Sequence, residues 1–281
     1  MQALPRIPGY VLLNCLGGGP LTQVFAASEE AGGAACAVKV LRPEWHDQPT
    51  AVKLLQREAR AGLAVRHPHL VRLRHAHVTR PPYFLVTELL PGESLRRRLR
   101  REYRLDVASA LWVARQTAEA LAALHRAGFI HGDVKPDNVR LTGDGTAVLI
   151  DLGFAHRPGE NAPLLDRGYV LGTVNYLAPE LCGPDPEDGP AADLFSLGVT
   201  LYELVAGRLP YPAGTIEETF RRHLADPPAD IRRHAGPLPA GLVSLIDRLL
   251  ARRPADRLRA AAVVQQLVAL EIAALRSRKS A

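Results

Sequence analysis

Between residues 9 and 41, short apolar or β-branched runs alternate with glycine: YVLLNCLG, QVFAA and ACAVKVL. Such runs predict three antiparallel strands joined by tight turns, the first turn at Gly17-Gly18-Gly19-Pro20. From about Thr50 to Val65 the texture changes, and Leu54, Leu55 and Leu63 follow helical spacing. HPHLVRL and YFLVTELL then read as two more strands. Beyond Pro91-Gly92 the chain carries long helical patterns over 107–127, 191–206, 240–251 and 260–276, separated by loops rich in Gly and Pro. The pattern predicts an α+β chain in two lobes: a small β-rich N-lobe with one helix, about 9–90, and a larger, mainly α-helical C-lobe, about 91–271. Residues 1–8 read as a lead-in and 272–281, ending in RSRKSA, as a frayed basic tail.

Composition narrows the class. A chain of 281 residues is long enough for two lobes sharing a cleft. No apolar run approaches the roughly 20 residues that span a bilayer. The opening MQALPRIPGY lacks the basic-then-apolar order of a signal peptide, so the expectation is a cytoplasmic protein. Cys15, Cys36 and Cys182 are an odd count without metal-ligand spacing, and are expected to be small buried residues in a reducing compartment. The net charge of +6 rests on 31 Arg and only four Lys: Lys39, Lys53, Lys135 and Lys279. Two of those four fall in the motifs below, where a compact ammonium does not interchange with a planar guanidinium.

HGDVKPDN, His131 to Asn138, brings a possible base, a phosphate-reaching cation and a metal ligand within a few residues of one another. Asp151-Leu152-Gly153 follows eighteen residues after Asp133, and the order and spacing of these pieces read as a phosphoryl-transfer centre. LGGGPLTQVF, AVKV and GTVNYLAPE lie at matching places along the chain. With these motifs in hand, the chain from about Tyr10 to Leu270 resembles a eukaryotic-type (Hanks-type) serine/threonine protein kinase of bacterial origin.

The resemblance implies a bilobal kinase fold, ATP and Mg²⁺ as cofactors, and a protein substrate. Gly17, Gly18 and Gly19 would form the loop over the ATP phosphates and Val24 would lie under the adenine. Glycines there let backbone N–H groups approach phosphate. Lys39 would contact the α- and β-phosphates, held by Glu58, and the hinge backbone near Glu88 and Leu90 would bind the adenine edge. Asp133 would orient the acceptor hydroxyl and take its proton, Lys135 would stabilise the transferred phosphoryl group, and Asn138 and Asp151 would hold the metal. Thr173 would sit beside Asp133 and Lys135, Glu180 would pair with Arg257, and Asp193 would tie the catalytic loop to a buried helix. His131 would pack the loop rather than act as acid or base.

Departures from the family pattern are informative. Gly132 stands where the family usually places Arg before the catalytic Asp, which makes this a non-RD variant. Residues 152–172 contain no Ser or Thr, and Tyr169 is the only hydroxyl there, so activity independent of phosphorylation in this segment is expected. Thr22 replaces the third loop glycine, Leu152 replaces the usual Phe, Thr87 would be a small gatekeeper, and Ser94 is expected near the ribose.

Two further features point elsewhere. His67, His69, His75 and His77 form two HxH pairs, a pattern compatible with a metal site, but HPHLV also resembles the family's helix-to-strand loop. LRRRLRREYR, Leu95 to Arg104, could meet an acidic substrate, nucleic acid or an anionic membrane. The favoured reading is the solvated face of a helix with Leu95 and Leu99 turned inward, and no specific nucleic-acid partner or membrane span is expected. Two alternatives to the kinase stay open: a pseudokinase acting as a scaffold or allosteric module, and a small-molecule phosphotransferase of related fold. A regulatory partner or dimer is compatible with either the kinase or the scaffold.

Overall fold

The computed structural model describes residues 4–30 and 32–279, with side chains described as far as Arg276. The three glycine-separated runs form β1 (Tyr10–Gly18), β2 (Thr22–Glu29) and β3 (Cys36–Leu41). With β4 (Leu73–His77) and β5 (Phe84–Glu88) they make one antiparallel sheet in the order β1-β2-β3-β5-β4. Among the described residues the one long helix of this lobe, α1 (Pro49–Ala64), opens with proline in its first turn, where the missing N–H forfeits no helical bond. Its apolar residues Ala51, Leu55 and Ala59 pack on Leu41 and Leu85 of the sheet. A second cluster joins Ile7, Phe25, Val38, Phe84 and Val86. Ile7, in the stretch predicted as a lead-in, is therefore part of the N-lobe core.

β4 begins later than the apolar run HPHLVRL suggests. Pro68 has no N–H to give a sheet ladder, and the residues after it pair across the lobes instead. The Leu149 N–H donates to the His69 carbonyl at 2.8 Å, and the Val71 N–H donates to the Leu149 carbonyl at 2.9 Å. This loop therefore ties the N-lobe to the floor of the cleft.

The C-lobe begins with β6 (Glu93–Ser94), α2 (Leu95–Glu102) and α3 (Val107–Arg126), followed by β7 (Val139–Leu141) and β8 (Ala147–Leu149), which complete a small sheet with β6. After these come α4 (Ala162–Leu165), α5 (Pro190–Ala206), α6 (Ile216–Ala225), α7 (Arg232–Ala235), α8 (Ala240–Leu249) and α9 (Ala260–Lys279). Every residue of α5 from Ala192 to Ala206 is buried, including the carboxylates Asp193 and Glu203, which are paired with donors from other elements. α3, α7 and α8 pack around it. The predicted helices 107–127, 191–206 and 240–251 are found within two residues of their expected ends. α9 continues through the stretch expected to fray, as far as Lys279, and Ser280 and Ala281 lie outside the described residues. α6 had no counterpart in the apolar pattern. Its start is set by a capping box in which Thr215 accepts the Glu218 N–H and the Glu218 carboxylate accepts the Thr215 N–H.

Candidate active site

The cleft between the lobes is lined from above by neighbouring strands in register. Gly17 on β1 lies opposite Val24 on β2, and Val24 lies opposite Lys39 on β3. At Gly18 a Cβ would come within 2.6 Å of the Thr22 carbonyl, so only glycine lets the hairpin close there. That carbonyl accepts the Gly19 N–H at 2.9 Å, which fixes the glycine turn over the cleft.

Lys39 projects into the cleft and meets two carboxylates. Its Nζ donates to Glu58 Oε1 and Oε2 at 2.9 and 2.8 Å and to Asp151 Oδ1 at 2.6 Å. Burial disfavours the ammonium, but Asp151 and Glu58 outweigh it and raise the pKa of Lys39. Burial pushes the Asp151 carboxyl upward, yet Lys39 and the Gly153 N–H both lower it and prevail, which holds the group at about 2. Asp151 is a carboxylate at neutral pH. Its φ of 65° lies in the left-handed region, an uncommon conformation outside glycine that is found most often at functional sites. Leu152, one residue on, is buried in the C-lobe core and packs toward Gly62 of α1.

The catalytic-loop candidates lie between α3 and β7 and are anchored from below. Asp193, buried on α5, accepts the backbone N–H groups of His131 and Gly132 at 2.8 and 2.9 Å, and His125 Nε2 lies 2.8 Å from the same carboxylate. Burial raises the Asp193 pKa, but these donors prevail and lower it. Above this anchor, Asp133 Oδ1 accepts the Thr173 hydroxyl at 2.7 Å. Asp133 Oδ2 takes the Lys135 ammonium at 2.7 Å and the Asn138 amide at 2.9 Å. Lys135 also donates to the Thr173 oxygen at 2.5 Å. The second Asn138 N–H goes to the Asp133 carbonyl at 2.8 Å, so the amide nitrogen is spent and its oxygen is the atom left to bind a cation. With the Asp151 carboxylate this makes a hard oxygen pair suited to a divalent ion that keeps water and phosphate ligands. His131 is fully buried, burial lowers its pKa, and its Nδ1 accepts the Asp133 N–H at 3.2 Å, so it packs the loop.

At the hinge the Glu88 carboxylate accepts the Arg72 N–H at 2.9 Å and the Glu88 N–H donates to the Arg72 carbonyl at 3.1 Å, which ties this residue to the loop before β4. Ser94 accepts the Arg97 N–H as the cap of α2, which fixes the side chain at the start of that helix and leaves its O–H free to donate. Arg96 also departs from the expected solvated face. It donates to Asp137 at 3.0 Å, to Glu203 at 2.5 Å and to the Tyr176 hydroxyl, and so joins α2 to α5 beside the catalytic loop. Leu95 and Leu99 are turned inward as predicted. Cys36 and Cys182 are buried, whereas Cys15 is exposed because β1 is the edge of the sheet and turns that side chain outward.

The histidine pairs are divided among separate partners. His69 Nδ1 lies 3.0 Å from the Ala147 carbonyl and its Nε2 lies 3.3 Å from Glu119, while His77 Nδ1 lies 2.8 Å from the Pro82 carbonyl. Among the described residues, no three His, Cys, Asp or Glu side chains converge as a metal site. Among the same residues, no helix is long and apolar enough to cross a membrane.

A model of the protein kinase domain matches residues 10–268. The chain belongs to the protein kinase family. It is 33% identical over 261 residues to the serine/threonine-protein kinase PknD of Mycobacterium tuberculosis, covering 91% of this chain and 39% of that one. To PknA of the same organism it is 34% identical over 256 residues, covering 89% of this chain and 58% of the relative. A probable serine/threonine-protein kinase of Thermomonospora curvata, PkwA, is 36% identical over 223 residues, covering 79% of this chain and 30% of the relative. The chain thus spans between 30% and 58% of the length of these bacterial kinases. Protein kinases use ATP, and usually a divalent metal, and the oxygen pair at Asn138 and Asp151 fits such an ion.

Proposed function

We propose that this chain transfers the γ-phosphoryl group of Mg·ATP to serine or threonine hydroxyls of protein substrates. The observation that carries the reading is the cluster on Asp133, whose two carboxylate oxygens collect the Thr173 hydroxyl, the Lys135 ammonium and the Asn138 amide. In this reading Asp133 receives the proton of the acceptor hydroxyl and orients it for in-line attack. Lys135 neutralises the charge that grows on the transferred group, and Thr173 fixes both side chains against the floor on which the acceptor rests. Lys39, aligned by Glu58, grips phosphate oxygens, while Gly17, Gly18 and Gly19 cover them with backbone N–H groups. Val24 and the backbone at Glu88 and Leu90 bind the adenine.

Asn138 and Asp151 would hold magnesium, which when bound supplies charge neutralisation across neighbouring phosphates. The serine/threonine preference follows from Lys135 and Thr173 together and from the names of the relatives. The usual mark of a scaffold without catalysis is loss of the catalytic Lys, Asp or metal ligands, and Lys39, Asp133, Asn138 and Asp151 are all present.

The test is transfer from radiolabelled ATP with Mg²⁺ to the chain itself and to a generic basic protein. Label on Ser or Thr that disappears in Asp133→Ala and Lys39→Met is the expected outcome. Nucleotide binding without any transfer favours the scaffold reading instead.

A further inference from the structure

Helix α1 carries Glu58 to Lys39, and the residues flanking Glu58 hold the helix in that position. Arg57, immediately before it, is buried, donating through Nη1 to Asn161 Oδ1 at 3.0 Å and through Nη2 to the Glu160 carbonyl at 2.5 Å. Arg60, nearly one turn on, donates to both carboxylate oxygens of Glu160 at 2.6 Å. The Arg157 N–H donates to Glu160 Oε2 at 2.9 Å, and Arg60 and Arg157 stand over the same Phe129 ring at 5.9 and 5.1 Å.

Glu160 is therefore a carboxylate held by two charged or polar donors, fixed on the segment between Asp151 and Thr173 and clasped by the helix that aligns Lys39. The segment around it is secured on the opposite side as well. The Gly159 N–H donates to Asp188 Oδ1 at 3.0 Å, and His156 Nε2 lies 2.8 Å from Asp188 Oδ2. A side chain at position 132 could not assist from below. Gly132 has a φ of 79°, and a Cβ there would lie 2.9 Å from the Phe154 carbonyl.

We propose that Glu160 is a built-in anion that positions α1, so that the Lys39–Glu58 pair forms without any phosphate being added to this segment. A phosphate opposite an arginine cluster orders a segment through charge-assisted hydrogen bonds, and a carboxylate already present supplies the same contact permanently. This agrees with a segment that offers no serine or threonine from 152 to 172. Glu160 touches neither substrate nor the reacting atoms, and is a positioning residue for the activity proposed above, on which this inference rests.

The experiment replaces Glu160 with alanine, serine and phosphoserine, the last incorporated during synthesis, and reads two quantities on the full chain. The first is kcat for a peptide acceptor together with KM for ATP. The second is backbone hydrogen exchange across α1, measured without substrate and compared with exchange across α3. Glu160→Ala and Glu160→Ser should lower kcat by roughly tenfold or more and speed exchange in α1 while leaving α3 unchanged. Phosphoserine at 160 should restore both, which a purely space-filling role could not do.

Wild-type exchange in α1 of both uncharged variants, or failure of phosphoserine to restore slow exchange when α3 stays protected, overturns the clasp. Absence of any Asp133-dependent transfer in the wild type overturns the proposed activity alone, because the exchange measurement still decides the clasp.

Discussion

Two ion pairs in this molecule share a charge type and differ in everything else. Arg257 in the C-lobe spends all five of its N–H groups. Nη1 donates to Glu180 and the Ala191 carbonyl at 2.6 and 3.0 Å, Nη2 to Glu180 and the Arg252 carbonyl at 2.7 and 2.9 Å, and Nε to the Ala251 carbonyl at 2.8 Å. The Phe195 ring closes over it at 5.1 Å. Lys39 also has its three protons directed at oxygens, but one partner, Asp151, keeps 41% of its side chain exposed in the cleft. A planar fork saturated by fixed carbonyls can hold structure and do nothing else. A compact ammonium at the edge of a cleft can exchange a carboxylate for a phosphate at little structural cost. In a chain that uses arginine 31 times and lysine four, a lysine at this place agrees with the phosphate contact proposed for it.

The largest expected effect tests the saturated pair. Arg257→Ala should lose roughly 3–5 kcal/mol of stability in urea unfolding, because Glu180 and three backbone carbonyls are left without their donor. Arg257→Lys should recover only part of it, since three protons cannot satisfy five acceptors. A loss below about 1 kcal/mol would break the comparison from the structural side. Next comes the open pair: Lys39→Met should lower kcat/KM by about 10²- to 10³-fold. Its unfolding midpoint should fall less than that of Arg257→Ala, because Asp151 can turn to water. Thr173→Ala should cost about tenfold in kcat, with an unfolding curve close to wild type, since it removes one hydroxyl shared by Asp133 and Lys135. Equal damage to folding and to rate in all three variants would mean that the two pairs do not differ in kind.

The reactive side of this comparison was legible in the sequence to the extent that its residues sit in short motifs. Asp133, Lys135 and Asn138 lie on one turn of chain, and the spacing of Lys39, Glu58 and Asp151 follows from one strand, one helix and one cleft. The helices with apolar faces were equally readable, because periodicity survives wherever a face is buried. What stayed hidden was long-range polar pairing. Arg57 and Arg60 meet Glu160 from about a hundred residues away, and Arg96 meets Glu203 from farther still. In a sequence dense with arginine, nothing local separates a clasped guanidinium from a solvated one. The displaced start of β4 has a related cause. Its apolar residues bond across the lobes to Leu149, and periodicity cannot tell a strand ladder from a cross-lobe tether.

The smallest effect sharpens the comparison at low pH. Lys39 holds the Asp151 carboxyl at about 2, below its ordinary 3.8, so the unfolded chain binds the more protons between these values. Stability must then rise with pH across that window. Sign and range follow: the contribution of this contact is fully present above about pH 4 and is lost as pH falls toward 2. Urea midpoints measured from pH 5 down to pH 2 should show a shallower acid loss in Lys39→Met than in wild type, because the substitution removes the ammonium that depresses the carboxyl. Asp151→Asn should flatten the same window, having no proton to bind there. If both variants retain the wild-type slope, Asp151 is not coupled to Lys39 in solution, and the open pair is as self-contained as the saturated one.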